Sequence, residues 1–130
     1  MIVDSSAIVA ILRSEPEAAD FLHKIESAGK CQVSAVSYVE AAIIIDRGAD
    51  AIARRRFDDF FRISRIEVET VTPGQAEIAR QAYRDFGKGR HKAGLNFGDC
   101  FAYALAKDLD EPLLFKGDDF RHTDIEPVET

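Results

Sequence analysis

Met1-Ile2-Val3-Asp4-Ser5-Ser6-Ala7-Ile8-Val9-Ala10-Ile11-Leu12 runs a short aliphatic strand straight into an apolar helix, with an acid at the junction. The strand reads as Met1 to Asp4 and the helix as about Ser5 to Leu12. The same alternation continues outward from this stretch. Cys31 to Ser34, Arg65 to Val71 and Pro112 to Lys116 are the other strand-like runs. The Cys31 and Pro112 segments are bounded by turn residues and carry aliphatics without strict alternation, as buried parallel strands do.

The intervening helices are punctuated. Ser14-Glu15-Pro16-Glu17 has the form of a capping box, followed by Ala18, Phe21, Leu22 and Ile25 on one face and by Gly29 as a stop. Thr72-Pro73-Gly74-Gln75 starts a second helix with an Ala79, Ala82, Tyr83 and Phe86 stripe, ended by Gly87. Further helices are expected at about Ser5 to Leu12, Ser37 to Arg47, Asp50 to Ser64 and Asn96 to Leu109. This order predicts a three-layer α/β/α sandwich with a mainly parallel central sheet, and a site at the carboxyl ends of its strands.

Composition agrees with one globular domain spanning residues 1–130. At this length a compact chain buries roughly 68% of the surface it exposes when unfolded, so a core needs no disulfide or structural metal. The 46% apolar and 31% charged fractions exclude disorder. No apolar run approaches the ~18 residues of a membrane span, and Met1 to Asp4 has no secretory character. A cytoplasmic location is expected. Cys31 and Cys100 form neither a CxxC pair nor a zinc set, and read as small buried hydrophobes. His23, His91 and His122 are isolated in sequence and suit surface positions.

The acids carry the chemistry. Asp4 ends the first strand. Ser37-Tyr38-Val39-Glu40 places Glu40 in the first turn of a helix, and Asn96-Phe97-Gly98-Asp99 does the same for Asp99. The last strand leads into Lys116-Gly117-Asp118-Asp119-Phe120. Each acid has a plain structural role open to it: Asp4 as a helix cap, Ser37 with Glu40 and Asn96 with Asp99 as capping boxes, Gly-Asp-Asp as a turn. Together, four segments deliver carboxylates to one sheet edge. Such a cluster raises its own pKa values or takes up a cation. All-oxygen donors suit Mg²⁺ or Mn²⁺. Carboxylate-held ions of this kind can activate water and stabilise a leaving oxygen in phosphoryl chemistry, and the chain offers no convincing side-chain nucleophile.

Four motifs, Met-Ile-Val-Asp-Ser-Ser-Ala, Ser-Ala-Val-Ser-Tyr-Val-Glu, Leu-Asn-Phe-Gly-Asp-Cys and Leu-Leu-Phe-Lys-Gly-Asp-Asp-Phe, resemble in order and spacing those of the PIN domain, specifically VapC-type toxins. The resemblance implies a Mg²⁺- or Mn²⁺-dependent endoribonuclease, the toxin half of a toxin–antitoxin pair. It implies Asp4 and Asp99 as principal metal ligands and Glu40 as a third acid. Many PIN domains carry Leu-Leu-Thr-x-Asp before the final Phe; here Gly117 stands where that Asp is expected. Asp118 or Asp119 then supplies the fourth charge, with Asp119 the more family-like because it precedes Phe120. Ser5, Ser6 and Asn96 would orient ligands or waters. Lys88, Arg90, His91 and Lys92, in a glycine-spaced basic segment read as mobile, would hold the RNA backbone. The resemblance also implies a VapB-like antitoxin, a toxin homodimer and a hetero-oligomeric complex of the two.

Two other classes fit the residues less well. A receiver-type signalling domain wants paired acids after the first strand and a phospho-accepting Asp at the end of a middle strand, where this chain has Asp4-Ser5-Ser6 and Val71-Thr72-Pro73. A non-catalytic interaction module would leave the acids as caps. The net charge of −6 opposes non-specific nucleic-acid binding, but setting Asp4, Glu40, Asp99, Asp118 and Asp119 aside leaves 18 acids against 17 bases.

Overall fold

The computed structural model describes residues 1–48 and 50–129. Each of the first three strands is followed by a pair of helices. The order is β1 (Ile2–Val3), α1 (Ser5–Leu12), α2 (Ala18–Ser27), β2 (Gln32–Ser34), α3 (Ala35–Asp46), α4 (Ala51–Ser64), β3 (Glu67–Glu69), α5 (Pro73–Phe86), α6 (Phe97–Leu109) and β4 (Leu113–Leu114), then a short 3₁₀ turn at Asp119–His122. The strands pair in parallel in the order β3-β2-β1-β4. The sheet therefore grows outward from β1 to β3 and then jumps back to the other side of β1. That reversal makes the crevice above the carboxyl ends of β1 and β4 the topological switch point, where open α/β sheets bind ligands.

Two central residues per strand serve both faces. Ile2 is in register with Leu113 and Val3 with Leu114. Ile2 and Leu113 belong to the core shared with α5 and α6, through Ala102, Leu105 and Ala106 among others. Val3 and Leu114 point the opposite way, into the core with Val33 of β2 and with Ile8, Phe21, Ala41 and Phe57 from α1 to α4. All four sheet residues are fully buried, as the period-two geometry of a strand covered on both faces requires. Among the described residues no helix is long and apolar enough to cross a membrane.

Several local readings change. Ser14 does not cap α2. It takes φ 53° and closes α1 instead, with Glu15 N–H donating to the Ala10 carbonyl at 2.9 Å and Ser14 N–H to that of Ile11 at 3.1 Å. This is a Schellman closure with a serine at the left-handed position, and α2 starts from Glu17 without a side-chain cap. The Ser37–Glu40 capping box is also absent. Strand β2 passes into α3 with no loop, so Ser34 is the cap, its Oγ accepting from Val36 N–H at 3.2 Å. Ser37 is buried within the helix and Glu40 moves to its second turn. The Arg65–Val71 run contracts to three paired residues, because β3 lies at the sheet edge and Arg65 is used, at φ 59°, to end α4. At the opposite edge Leu113 gains a partner not expected from the sequence: its N–H donates to the Glu126 carbonyl and its carbonyl accepts from Val128 N–H, at 2.9 and 3.0 Å.

Candidate active site

The first acid is set by the central strand. Asp4 N–H donates to the Leu114 carbonyl at 2.9 Å, which continues the β1–β4 ladder and fixes the residue above the switch point. Its Oδ2 caps α1 by accepting from Ser6 N–H at 3.0 Å. The side chain is only 2% exposed, and Oδ1 is buried without any hydrogen-bond partner. A lone buried carboxylate oxygen is costly unless a proton or a cation meets it.

Asp99 repeats this division from α6. Its Oδ2 accepts from Asn96 N–H at 3.0 Å while Asn96 Oδ1 accepts from Asp99 N–H at 2.9 Å, a complete capping box. The cap uses one carboxylate oxygen and leaves the other. Glu40 is the third. Ser5 Oγ donates to its Oε1 at 2.5 Å, tying the second turn of α3 to the first residue of α1. The Glu40 carboxylate lies directly over Gly98: a Cβ on that glycine would fall within 2.6 Å of the Glu40 Cδ and closer still to its Oε2. Gly98 is not expected at the site from the sequence, although it lies within the Leu-Asn-Phe-Gly-Asp-Cys motif.

These groups line one cleft of about 310 Å³ with Ser5, Ser6, Val9, Glu15, Ile44, Asn96 and Lys116. Of the two remaining acids, Asp119 opens the 3₁₀ turn anchored by buried Phe120, and it bears electrostatically on Asp99. Asp118 is not among the charges acting on Asp99, and both side chains are exposed. Ser6 has a double part: its N–H reaches Asp4, and its Oγ accepts from the Lys116 N–H at 3.0 Å, joining α1 to the segment after β4.

Burial pushes the Asp4 carboxyl up to about 6, against the lowering effect of its bonds from Ser6, and Glu40 adds to the rise. Burial also pushes Asp99 up to about 7, with Asp4, Glu40 and Asp119 adding repulsion that the Asn96 N–H only partly offsets. The acids thus lie near enough to destabilise one another's charge. They are nevertheless splayed: among the described residues no three acidic, imidazole or thiol groups stand closed around a single metal position. Glu40 is held by Ser5. The orphaned Asp4 Oδ1, an all-oxygen donor set and the raised pKa values fit a hard divalent cation.

The basic segment is anchored at both ends. Lys88 N–H donates to the Leu95 carbonyl and Leu95 N–H to that of Phe86, both at 2.9 Å, so the excursion is closed at its base. His91 is built into it: Nδ1 accepts from Ala93 N–H at 3.0 Å and the ring packs edge-on to Phe86. Lys88, Arg90 and Lys92 project into solvent, and Lys88 borders a groove that reaches Asn96. His23 and His122 are exposed. Cys31 and Cys100 are buried and unpaired, with burial and Asp99 pushing the Cys100 thiol up to about 11, far from a reactive thiolate.

A parallel sheet of order 3-2-1-4 with acids gathered over its switch point defines a class, and the family model of the PIN domain matches residues 1–126. The chain belongs to the PIN domain family, in its VapC group. It is 50% identical over 127 residues to Ribonuclease VapC28 of Mycobacterium tuberculosis, an alignment that covers 97% of this chain and 96% of that relative. Its fold is similar to the crystal structure of M. tuberculosis VapC20, described as a sarcin-ricin loop cleaving toxin, with a TM-score of 0.74 at 19% identity over 99% and 98% of the two chains. A toxin–antitoxin complex from Klebsiella pneumoniae contains a chain similar at a TM-score of 0.69 and 13% identity, again over 99% and 98%.

Proposed function

We propose that this chain is a Mg²⁺- or Mn²⁺-dependent endoribonuclease and the toxin of a toxin–antitoxin pair. The observation that carries the proposal is the buried, unpartnered Oδ1 of Asp4, in a residue lining a cleft whose other carboxylates each keep an oxygen uncommitted. The name of the VapC28 relative points to RNA as the substrate. In this reading Asp4, Asp99 and Glu40 hold the ion, with Asp119 as the fourth acid. A bound divalent ion would supply positive charge for the phosphate and acidify a water near neutral pH.

The chain's own groups do the positioning. Ser6 N–H and Asn96 N–H hold one oxygen each of Asp4 and Asp99, which fixes the direction of the other. Ser5 orients Glu40, and Gly98 gives that carboxylate room. Water serves as nucleophile, since neither cysteine is ionised and Ser5 lacks a histidine base. Hydrolysis leaves 5′-phosphate and 3′-hydroxyl ends. Lys88, Arg90 and Lys92 are placed to meet flanking phosphates, a contact weakened by salt.

Partners follow the same reading. A VapB-like antitoxin would cover the acidic cleft, consistent with the complex in which the Klebsiella neighbour was solved. A second toxin copy would pack on the apolar surface beside the cleft, where Val39 and Ile43 are 52% and Phe97 72% exposed. The test is cleavage of total bacterial RNA in Mn²⁺. Activity is expected to vanish in EDTA and in an Asp4→Asn/Asp99→Asn double variant; undiminished cleavage in either would overturn the proposal.

A further inference from the structure

Lys116 follows β4 and so stands across the switch point from Asp4, which follows β1. It is the only basic residue among those lining the acidic cleft. Its backbone is fixed, N–H to Ser6 Oγ at 3.0 Å, but its side chain has chosen unexpected partners. Nζ is 2.7 Å from Glu15 Oε1 and 3.3 Å from Glu17 Oε2, on the outer rim, while the inner acids Asp4, Glu40 and Asp99 take no bond from it. Asp4 Oδ1 is left orphaned with an ammonium in the same cleft.

This arrangement is not needed for the fold. The turn that carries Glu15 is already closed by backbone bonds to α1, and β4 is paired on both sides. The three charged groups are partly exposed, and water screens such rim ion pairs, so the ammonium changes partner at little cost. A lysine suits the exchange, being a point charge on a flexible stem, whereas an arginine fork would lock onto the carboxylates.

We propose that Lys116 is a substrate-binding residue: its ammonium leaves Glu15 and Glu17 to contact a non-bridging oxygen of the RNA phosphate held in the cleft. Glu15 and Glu17 keep it parked away from the inner acids until substrate arrives, so that it does not compete with a metal ion for them. The inference rests on the ribonuclease reading above and deepens it by naming a phosphate contact that the acids cannot make.

The experiment compares wild type with Lys116→Met, Lys116→Arg and Glu15→Gln/Glu17→Gln. Initial rates on total bacterial RNA in Mn²⁺ give apparent KM and kcat, calorimetry gives Mn²⁺ affinity, and thermal unfolding gives Tm. Lys116→Met is expected to raise KM about tenfold, the scale of one lost charge-assisted contact, with Mn²⁺ affinity not reduced and Tm nearly unchanged. Lys116→Arg should recover most of the KM. The Glu15→Gln/Glu17→Gln variant frees the ammonium to turn inward, and should weaken Mn²⁺ binding while leaving KM at or below its wild-type value. Unchanged KM in Lys116→Met, or a loss of Mn²⁺ affinity and Tm in step with it, overturns the role of Lys116 while wild-type cleavage leaves the ribonuclease reading standing. Absence of RNA cleavage by wild type overturns both.

Discussion

The carboxylate of Glu40, from the second turn of α3, occupies the space in which a side chain at Gly98 would begin, at the first turn of α6. Two helices from opposite halves of the chain thereby meet an acid against bare backbone, and the N–H groups of a helix start lie beneath a negative charge, where the helix dipole favours one.

Gly98→Ala tests this contact through its sign. In an ordinary helix interior the change stabilises by roughly 0.5–1 kcal/mol. Here the methyl group collides with Glu40, so we expect a lower Tm and at least a tenfold loss of RNA cleavage, read by thermal unfolding and initial rates. A stabilised, active variant would show that Glu40 has room to move.

Asp4→Asn separates stability from activity. The asparagine carbonyl keeps the cap on Ser6 N–H, and the cost of a buried charge disappears. At pH 8 without metal the variant is expected to melt at or above the wild-type temperature, while losing both cleavage and the Tm gain produced by Mn²⁺. Parallel melts with and without Mn²⁺ decide the matter.

The pH dependence has a definite direction. Asp4 and Asp99 have folded pKa values of about 6 and about 7, above the ordinary carboxylate value of 3.8. Between these limits the folded chain binds more protons than the unfolded one, so metal-free stability falls as pH rises from about 4 through 7. Together the two elevations amount to several kcal/mol, each pKa unit being equivalent to about 1.4 kcal/mol. Saturating Mg²⁺ should flatten the fall, and apparent Mg²⁺ affinity should rise over the same interval as the two protons leave. Tm series from pH 4.5 to 8, with Mg²⁺ and with EDTA, measure both.

Asp119→Asn and Asp118→Asn should differ. Asp119 adds to the charge felt by Asp99, and its neighbour Phe120 is fixed in the core. Replacing Asp119 is expected to weaken Mn²⁺ binding severalfold, whereas replacing Asp118 leaves it within error by calorimetry. Equal effects would mean that the turn as a whole supplies the fourth charge.

Most of the architecture was legible because alternating strand and helix patterns are local. The starts at Asp50, Thr72 and Asn96 and the stops at Gly29 and Gly87 fall where the residues suggest. What misled was chemistry with two uses. Ser14 has the right spacing to begin α2, yet the end of α1 claims it first. Ser37 and Glu40 have capping-box spacing, yet Ser34 starts the helix a turn earlier. At the site, capping and function were weighed as rivals. Asp4 and Asp99 each cap with one oxygen and leave the other outside the cap, so capping does not compete with the proposed metal site. The Glu40–Gly98 contact and the rim position of Lys116 depend on three-dimensional approach between distant segments, which no local pattern encodes.

The alternation of Ile2 and Val3 between the two cores also bears on how such a chain tolerates changes in length. Inserting or deleting one residue between Ile2 and Asp4 would exchange the two faces of the central strand and turn the Asp4 carboxylate away from its cleft. Lineages that drift from this sequence are thus free to substitute aliphatics there but not to change their number. A change of length in the Lys88 to Gly94 excursion, closed at its base by backbone bonds, would leave the register of the sheet untouched.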